Sequence, residues 1–97
     1  MNMQAMLKQA QKLQKDMMKT QEEVNSKTFI GESSFVKVEM KAGNVTKIDI
    51  DSDGLDKDDI EMLEDILLVA INSAKSKYDK DMEEKMGPYT KGMPGLF

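Results

Sequence analysis

The sequence has no cysteine and no histidine. The first absence excludes disulfide staples, a thiol nucleophile and thiolate zinc ligands. The second removes the side chain best suited to moving protons near neutral pH. Arginine is missing too, since all fourteen basic residues are lysine. Bidentate guanidinium readout of guanine edges is therefore excluded, and binding to a polyanion would rest on lysine charges with modest sequence specificity. No apolar run approaches the ~18 residues of a transmembrane helix, and the N-terminus lacks the basic patch and apolar core of a secretory signal. These absences lead to the expectation of a cytoplasmic protein with no membrane role. There is no phosphate-binding glycine loop, no dinucleotide fingerprint and no nucleophile–base combination. Accordingly no catalytic residue, metal site, cofactor or small-molecule substrate is assigned.

What is present fits one small domain of 97 residues with a correspondingly small core. Residues 2–26 contain no Gly or Pro and are rich in Met, Leu, Lys, Gln and Glu, which are good helix formers. Met3, Met6, Ala10, Leu13, Met17, Thr20 and Val24 recur at spacings of three and four, a heptad-like seam along one face. Leu7 and Met18 lie beside it. A helix of about 22 residues is roughly 33 Å long, more than so short a chain can easily cover. It calls for a partner chain or a rigid root. Lys8, Lys12, Lys15 and Lys19 fall within a sector of roughly 60° on a helical wheel, nearly opposite the seam. Such a row is either a plain solvated face or a line of ammonium groups for a polyanion.

Residues 28–34 break the helical pattern and read as a short strand and turn. FVKVEM and VTKIDI then alternate around Lys41-Ala42-Gly43-Asn44, a hairpin with Val36, Val38, Met40, Ile48 and Ile50 inward. Asp56 is a helix N-cap with Asp59 three residues on. The helix that follows places Ile60, Leu63, Leu67, Ala70, Ile71, Ala74 and Tyr78 on one broad face. Met62, Leu68 and Val69 lie off its centre, and this excess of apolar surface points to an intersubunit interface. Gly87-Pro88 is expected to end the helix and open a flexible tail over residues 87–97.

The joint DIDSDGLDKDDI, residues 49–60, imitates a calcium loop. With Asp49 at position 1, Asp51, Asp53 and Gly54 fall correctly at 3, 5 and 6, but position 12 is Ile60 where a bidentate Glu is needed. A strand, not a helix, also leads into it. The acids are better explained as turn and cap residues.

The order of these pieces resembles a known family. It runs from MLKQAQKLQKDMMKTQEEV through the Gly31-Glu32-Ser33 step, FVKVEM and KIDID. DDIEMLEDILLVAINSAKSK, EEKM and a Gly/Met/Pro tail ending PGLF follow. Over nearly its whole length the chain is similar to the YbaB/EbfC family of bacterial nucleoid-associated proteins. Two departures are visible. Ser33-Ser34 runs straight into Phe35 where the family often carries a Gly-rich extension, and Asp51-Ser52-Asp53-Gly54 replaces a common Asp-Pro.

The resemblance implies an α+β fold: α-β-β-β-α subunits with a long N-terminal helix, forming a homodimer whose long helices project. The expected segments are a helix over 1–26, a three-stranded antiparallel sheet over 28–51 and a C-terminal helical region over 56–86. It further implies a non-enzymatic protein of the cytoplasm and nucleoid that binds double-stranded DNA with little sequence preference. Lys8, Lys12, Lys15, Lys19 and, at the end of the helix, Lys27 are the expected phosphate contacts. Lys75, Lys77 and Lys80 form a weaker second set, interleaved with Asp79 and Asp81. The alternative is a protein–protein interaction module that uses the Met-rich first helix and has no DNA role. The reading of residues 49–60 has its own test: calcium at sub-millimolar concentration should leave the circular dichroism and NMR spectra unchanged.

Overall fold

The computed structural model describes residues 2–90. Helix α1 spans Met3–Asn25, strand β1 Thr28–Ser33, β2 Val36–Lys41, β3 Asn44–Ile50 and helix α2 Ile60–Thr90. The strands form one antiparallel sheet in the order β1-β2-β3. The α-β-β-β-α order expected of the chain is the one observed.

Local chemistry sets the boundaries. The Asn2 side chain accepts a hydrogen bond from the Gln4 amide at 3.0 Å, satisfying one of the free donors at the start of α1. At the other end the Ser26 hydroxyl donates to the Glu23 carbonyl at 2.7 Å. Ala42 and Gly43, both at positive φ (53° and 80°), join β2 to β3. Two such residues make the tight connection whose twist matches the flanking strands. Before α2 the Asp56 side chain accepts from the Asp58 amide at 2.8 Å, and the Asp59 side chain accepts from the Asp56 amide at 3.0 Å. This reciprocal cap starts a single 3-10 turn, Lys57–Asp59, that runs into α2. Asp51 accepts from the Asp53 amide. The acids of the calcium-like stretch thus serve the backbone of a turn and a cap.

The core lies between the sheet and α2. Val36, Val38 and Met40 are buried against Ala70 and Ala74, with Phe35, Leu63, Ile66, Leu67, Ile71 and Tyr78 packed around them. Gly31 explains the closeness of this packing. A Cβ added there would lie 2.1 Å from the Ala70 carbonyl oxygen and 2.5 Å from the Ala74 nitrogen. Strand β1 therefore lies directly on the helix backbone.

Four features differ from the sequence expectations. Ile48 and Ile50 pair with Val38 and Val36 and so share their face, yet they remain 44% and 39% exposed. The reason is that α2 packs on β1 and β2 and stops short of β3. Ile60 is likewise exposed, at the first turn of α2. Of the α1 seam only Val24 is buried, while Met3 and Met6 stand in solvent beyond the reach of α2. Finally, α2 does not stop at residue 86 but continues through Pro88 to Thr90. Proline there removes one helical hydrogen bond in the last turn, while the Tyr89 hydroxyl gains a hydrogen-bonding distance of 3.3 Å to Thr20. Residues 87–90 thus belong to the helix, and the remainder of the expected tail lies outside the described residues.

Gly31→Ala should lower stability by ~2 kcal/mol or more, since overpacking against backbone cannot be relieved by a side-chain rotation. Thermal or urea unfolding measures it. An unchanged midpoint would mean that β1 does not lie on α2 as described.

Candidate nucleic-acid interface

The molecule measures 70 × 22 × 14 Å, with a radius of gyration of 19.7 Å, against ~12.5 Å for a compact chain of this length. The two helices account for the difference. They run antiparallel and overlap only at their ends, where Thr20 meets Tyr89, Asn25 meets Tyr78 and Lys27 meets Asp81. The 31 residues of α2 span ~46 Å, and the part of α1 before Thr20 adds ~25 Å. That part of α1 is an arm.

Lys8, Lys12, Lys15 and Lys19 are all exposed on this arm and, among the described residues, have no ion-pair partner. They line ~16 Å of helix. Of the other four lysines named from the sequence, three are engaged. Lys27 Nζ lies 2.8 Å from the Asp81 carboxylate, and Lys75 pairs with Asp79 one turn on. Lys77 donates to the Ile30 carbonyl at 2.6 Å, on the outer edge of the sheet. Lys80 is exposed but sits among the acids of α2. The structure therefore separates the row on α1 from Lys27 and from the α2 set.

Charge follows the long axis. Residues 1–15 hold three Lys and no acid, whereas the rest of the chain holds eleven Lys and eighteen acids. A polyanion approaching the body meets net repulsion, and one approaching the arm meets attraction.

A second surface lies on the body. Val45, Ile48 and Ile50 of β3 and Ile60, Met62, Leu68 and Val69 of α2 are each 39–61% exposed. Among the described residues no helix is long and apolar enough to cross a bilayer. Nor do the described residues gather three or more His, Cys, Asp or Glu side chains able to hold a metal.

The residues at the root of the arm escaped the sequence reading. Tyr78 was legible only as part of an apolar stripe and Asp81 only as a charge diluting its lysine neighbours. Their partners are 53 and 54 residues away, and no local period signals such pairs.

The chain is thus an elongated α+β protein whose projecting helix carries a row of exposed lysines with no ion-pair partner among the described residues. The chain belongs to the YbaB/EbfC DNA-binding family, whose profile matches residues 1–93. It is 46% identical to a nucleoid-associated protein of Ligilactobacillus salivarius over 99% of this chain and 95% of that one. A nucleoid-associated protein of Enterococcus faecalis is also 46% identical, over 98% of this chain and 94% of the relative. A more distant one, from Chloroflexus aurantiacus, is 39% identical over the full length of both chains.

The ion pair at the root has a measurable signature. The hydrogen bond and charge of Lys27, aided by Lys85, hold the Asp81 carboxyl below its ordinary value of 3.8. A depressed folded-state pKa means that the contribution to stability is present above the unfolded value and lost as pH falls through the folded one. The Lys27–Asp81 link should therefore survive throughout the neutral range and break only below about pH 3.8. NMR titration of the Asp81 carboxyl should show this, and Lys27→Gln should move its midpoint upward. A midpoint unmoved by Lys27→Gln would dismiss the pair.

Proposed function

We propose that this chain is a nucleoid-associated protein of the bacterial cytoplasm. It acts as a homodimer that binds double-stranded DNA with little sequence preference. The contacts are the phosphate backbone on one side and Lys8, Lys12, Lys15 and Lys19 on the other. One observation carries the reading: these four lysines are exposed, and without an ion-pair partner among the described residues, on a helix that leaves the body, while the body is acidic. A row of this kind neutralises phosphates and releases counterions. Lysine supplies point charges without the bidentate fork that reads bases, so sequence preference is weak.

The homodimer is supported by the apolar surface of β3 and α2. Ile48 and Ile50 extend the buried face of the sheet past the edge of α2, and Leu68 and Val69 (61% and 57% exposed) lie on the uncovered side of that helix. A second copy burying this surface gains ~25 cal/mol for each Å² of apolar area removed from water. It also covers the otherwise open β3 edge, where an unpaired strand invites unspecific association. Two copies carry two arms, and the lysine row is doubled.

A second reading has its own support in Met3, Met6 and Leu7, which expose 83%, 50% and 60% of their surface near the arm tip. Flexible methionines suit a protein partner. Binding to duplex DNA at two salt concentrations separates the two readings. On the DNA reading, affinity falls steeply with salt, by ~0.9 in logarithmic slope for each phosphate neutralised.

Replacing the four row lysines with Gln should lower affinity on the order of 100-fold at low salt and flatten that slope, with the thermal midpoint unchanged. Binding that is unaffected would move the contact elsewhere. Ile48→Glu should convert the dimer to a monomer in sedimentation, and a wild-type chain that sediments as a monomer would remove the dimer.

A further inference from the structure

Beside the buried Val24 and the Thr20–Tyr89 contact, the root of the arm is held by polar contacts that converge on Tyr78 and Asp81. The Tyr78 hydroxyl donates to Asn25 Oδ1 at 2.8 Å, in the last turn of α1. Its ring meets Phe29 of β1 edge-on, with centroids 5.7 Å apart and planes at 79°. The same ring faces the Ala42-Gly43 turn, so that a Cβ at Gly43 would come within 3.4 Å of it. One side chain of α2 thus touches α1, β1 and the β2–β3 turn. Asp81, one turn further along α2, takes Lys27 Nζ on Oδ2 at 2.8 Å and Lys85 on Oδ1 at 3.7 Å. Lys27 sits immediately after α1, so this pair ties the chain just where the helix ends.

A long lever magnifies what happens at its root. Lys8 lies 17 residues from Asn25, which is ~25 Å of helix. A swing of about 10° at the root moves Lys8 by ~4 Å, beyond the tolerance of a charge-assisted hydrogen bond. Near the tip of the arm Met3, Met6 and Leu7 are at least half exposed, while Leu13 and Met17 nearer the root are partly buried.

We propose that Lys27, Asp81 and Tyr78 are positioning residues. They fix the angle of α1 at which the lysine row meets DNA, and Lys27 makes no phosphate contact of its own. The proposal rests on the DNA-binding reading above, but it makes a separate structural claim. If the root fails, the arm samples many angles and only a fraction of molecules is competent to bind. The apparent dissociation constant then rises by the inverse of that fraction. The number of phosphates neutralised by a competent molecule stays the same, and so does the salt slope. Loss of a contacting lysine has the opposite signature, a slope flatter by ~0.9 per arm.

The absence of cysteine makes the test direct. Spin labels at Gln9→Cys and Glu84→Cys, in full-length chain diluted with unlabelled protein, report the angle of α1 within one subunit. Lys27→Gln and Tyr78→Phe should each broaden that distance distribution. Each should raise the dissociation constant for duplex DNA by about 3- to 10-fold, with the salt slope and thermal midpoint unchanged. Lys27→Glu should do the same more strongly, and adding Asp81→Lys should narrow the distribution and recover affinity, since the pair is restored with reversed sign. An unchanged distance distribution in these variants overturns the proposal. So does a Lys27→Gln variant that keeps its arm ordered but loses salt slope, because Lys27 is then a phosphate contact. Wild-type protein that fails to bind DNA overturns the reading of the preceding subsection, while the distance measurement still decides whether the root is held by these residues.

Discussion

The fold depends on the contact between β1 and the backbone of α2 at Gly31. With no side chain at Gly31 and only methyl groups at Ala70 and Ala74, the strand settles against the helix at a separation that any Cβ would prevent. That seat draws α2 over β1 and β2, where Val36, Val38 and Met40 are buried. The same seat leaves β3 beyond the helix edge, with Ile48 and Ile50 facing the right way but uncovered. It also brings Tyr78 and Asp81 to the end of α1, where they bind Asn25 and Lys27. Core, bare apolar surface and root of the arm all follow from one close approach.

How much of this is legible in the sequence depends on the range of the forces involved. The Ala42-Gly43 turn, the alternation of the strands and the Asp56–Asp59 cap are local. Neighbours within four residues decide them, and they stand where the sequence places them. The row Lys8, Lys12, Lys15 and Lys19 is also local, being a helical period. What pattern cannot supply is the reach of α2 over the sheet. Ile48 alternates correctly as an inward residue, and nothing in its neighbourhood says that the covering helix ends one strand short. The continuation of α2 through Pro88 is a tertiary effect of the same kind. A proline so near the helix end breaks little, and Tyr89 finds Thr20 across a gap of 69 residues. The root contacts are wholly non-local. Lys27 reads as one more lysine in a basic segment until Asp81 is brought beside it.

Charge and apolar surface are divided between the two ends of the molecule, and the division has a physical logic. An ammonium group near a carboxylate in water gains little stability, typically under ~1 kcal/mol. The lysines of the body that pair with Glu39, Asp49 and Asp79 therefore gain little stability from those pairs. Among the described residues the row on α1 has no such partner, so none of them cancels its field through an ion pair. Projection on a helix then carries Lys8 and Lys12, at its outer end, ~12 Å or more beyond the Thr20–Tyr89 contact, further than the ~10 Å over which salt screens a charge.

Among the described residues the row makes no ion pair, so no such pair ties its charges to the folded body. The root is the reverse case. Lys27 pairs with Asp81 and Tyr78 with Asn25, so these side chains serve the joint itself. A flexible tether would let each lysine find a phosphate independently, at the cost of ordering every one of them on binding. A stiff arm orders all four during folding, and the cost falls on the contacts at its base. On the proposed reading the orientation of the base therefore matters to the ligand as much as any single lysine of the row.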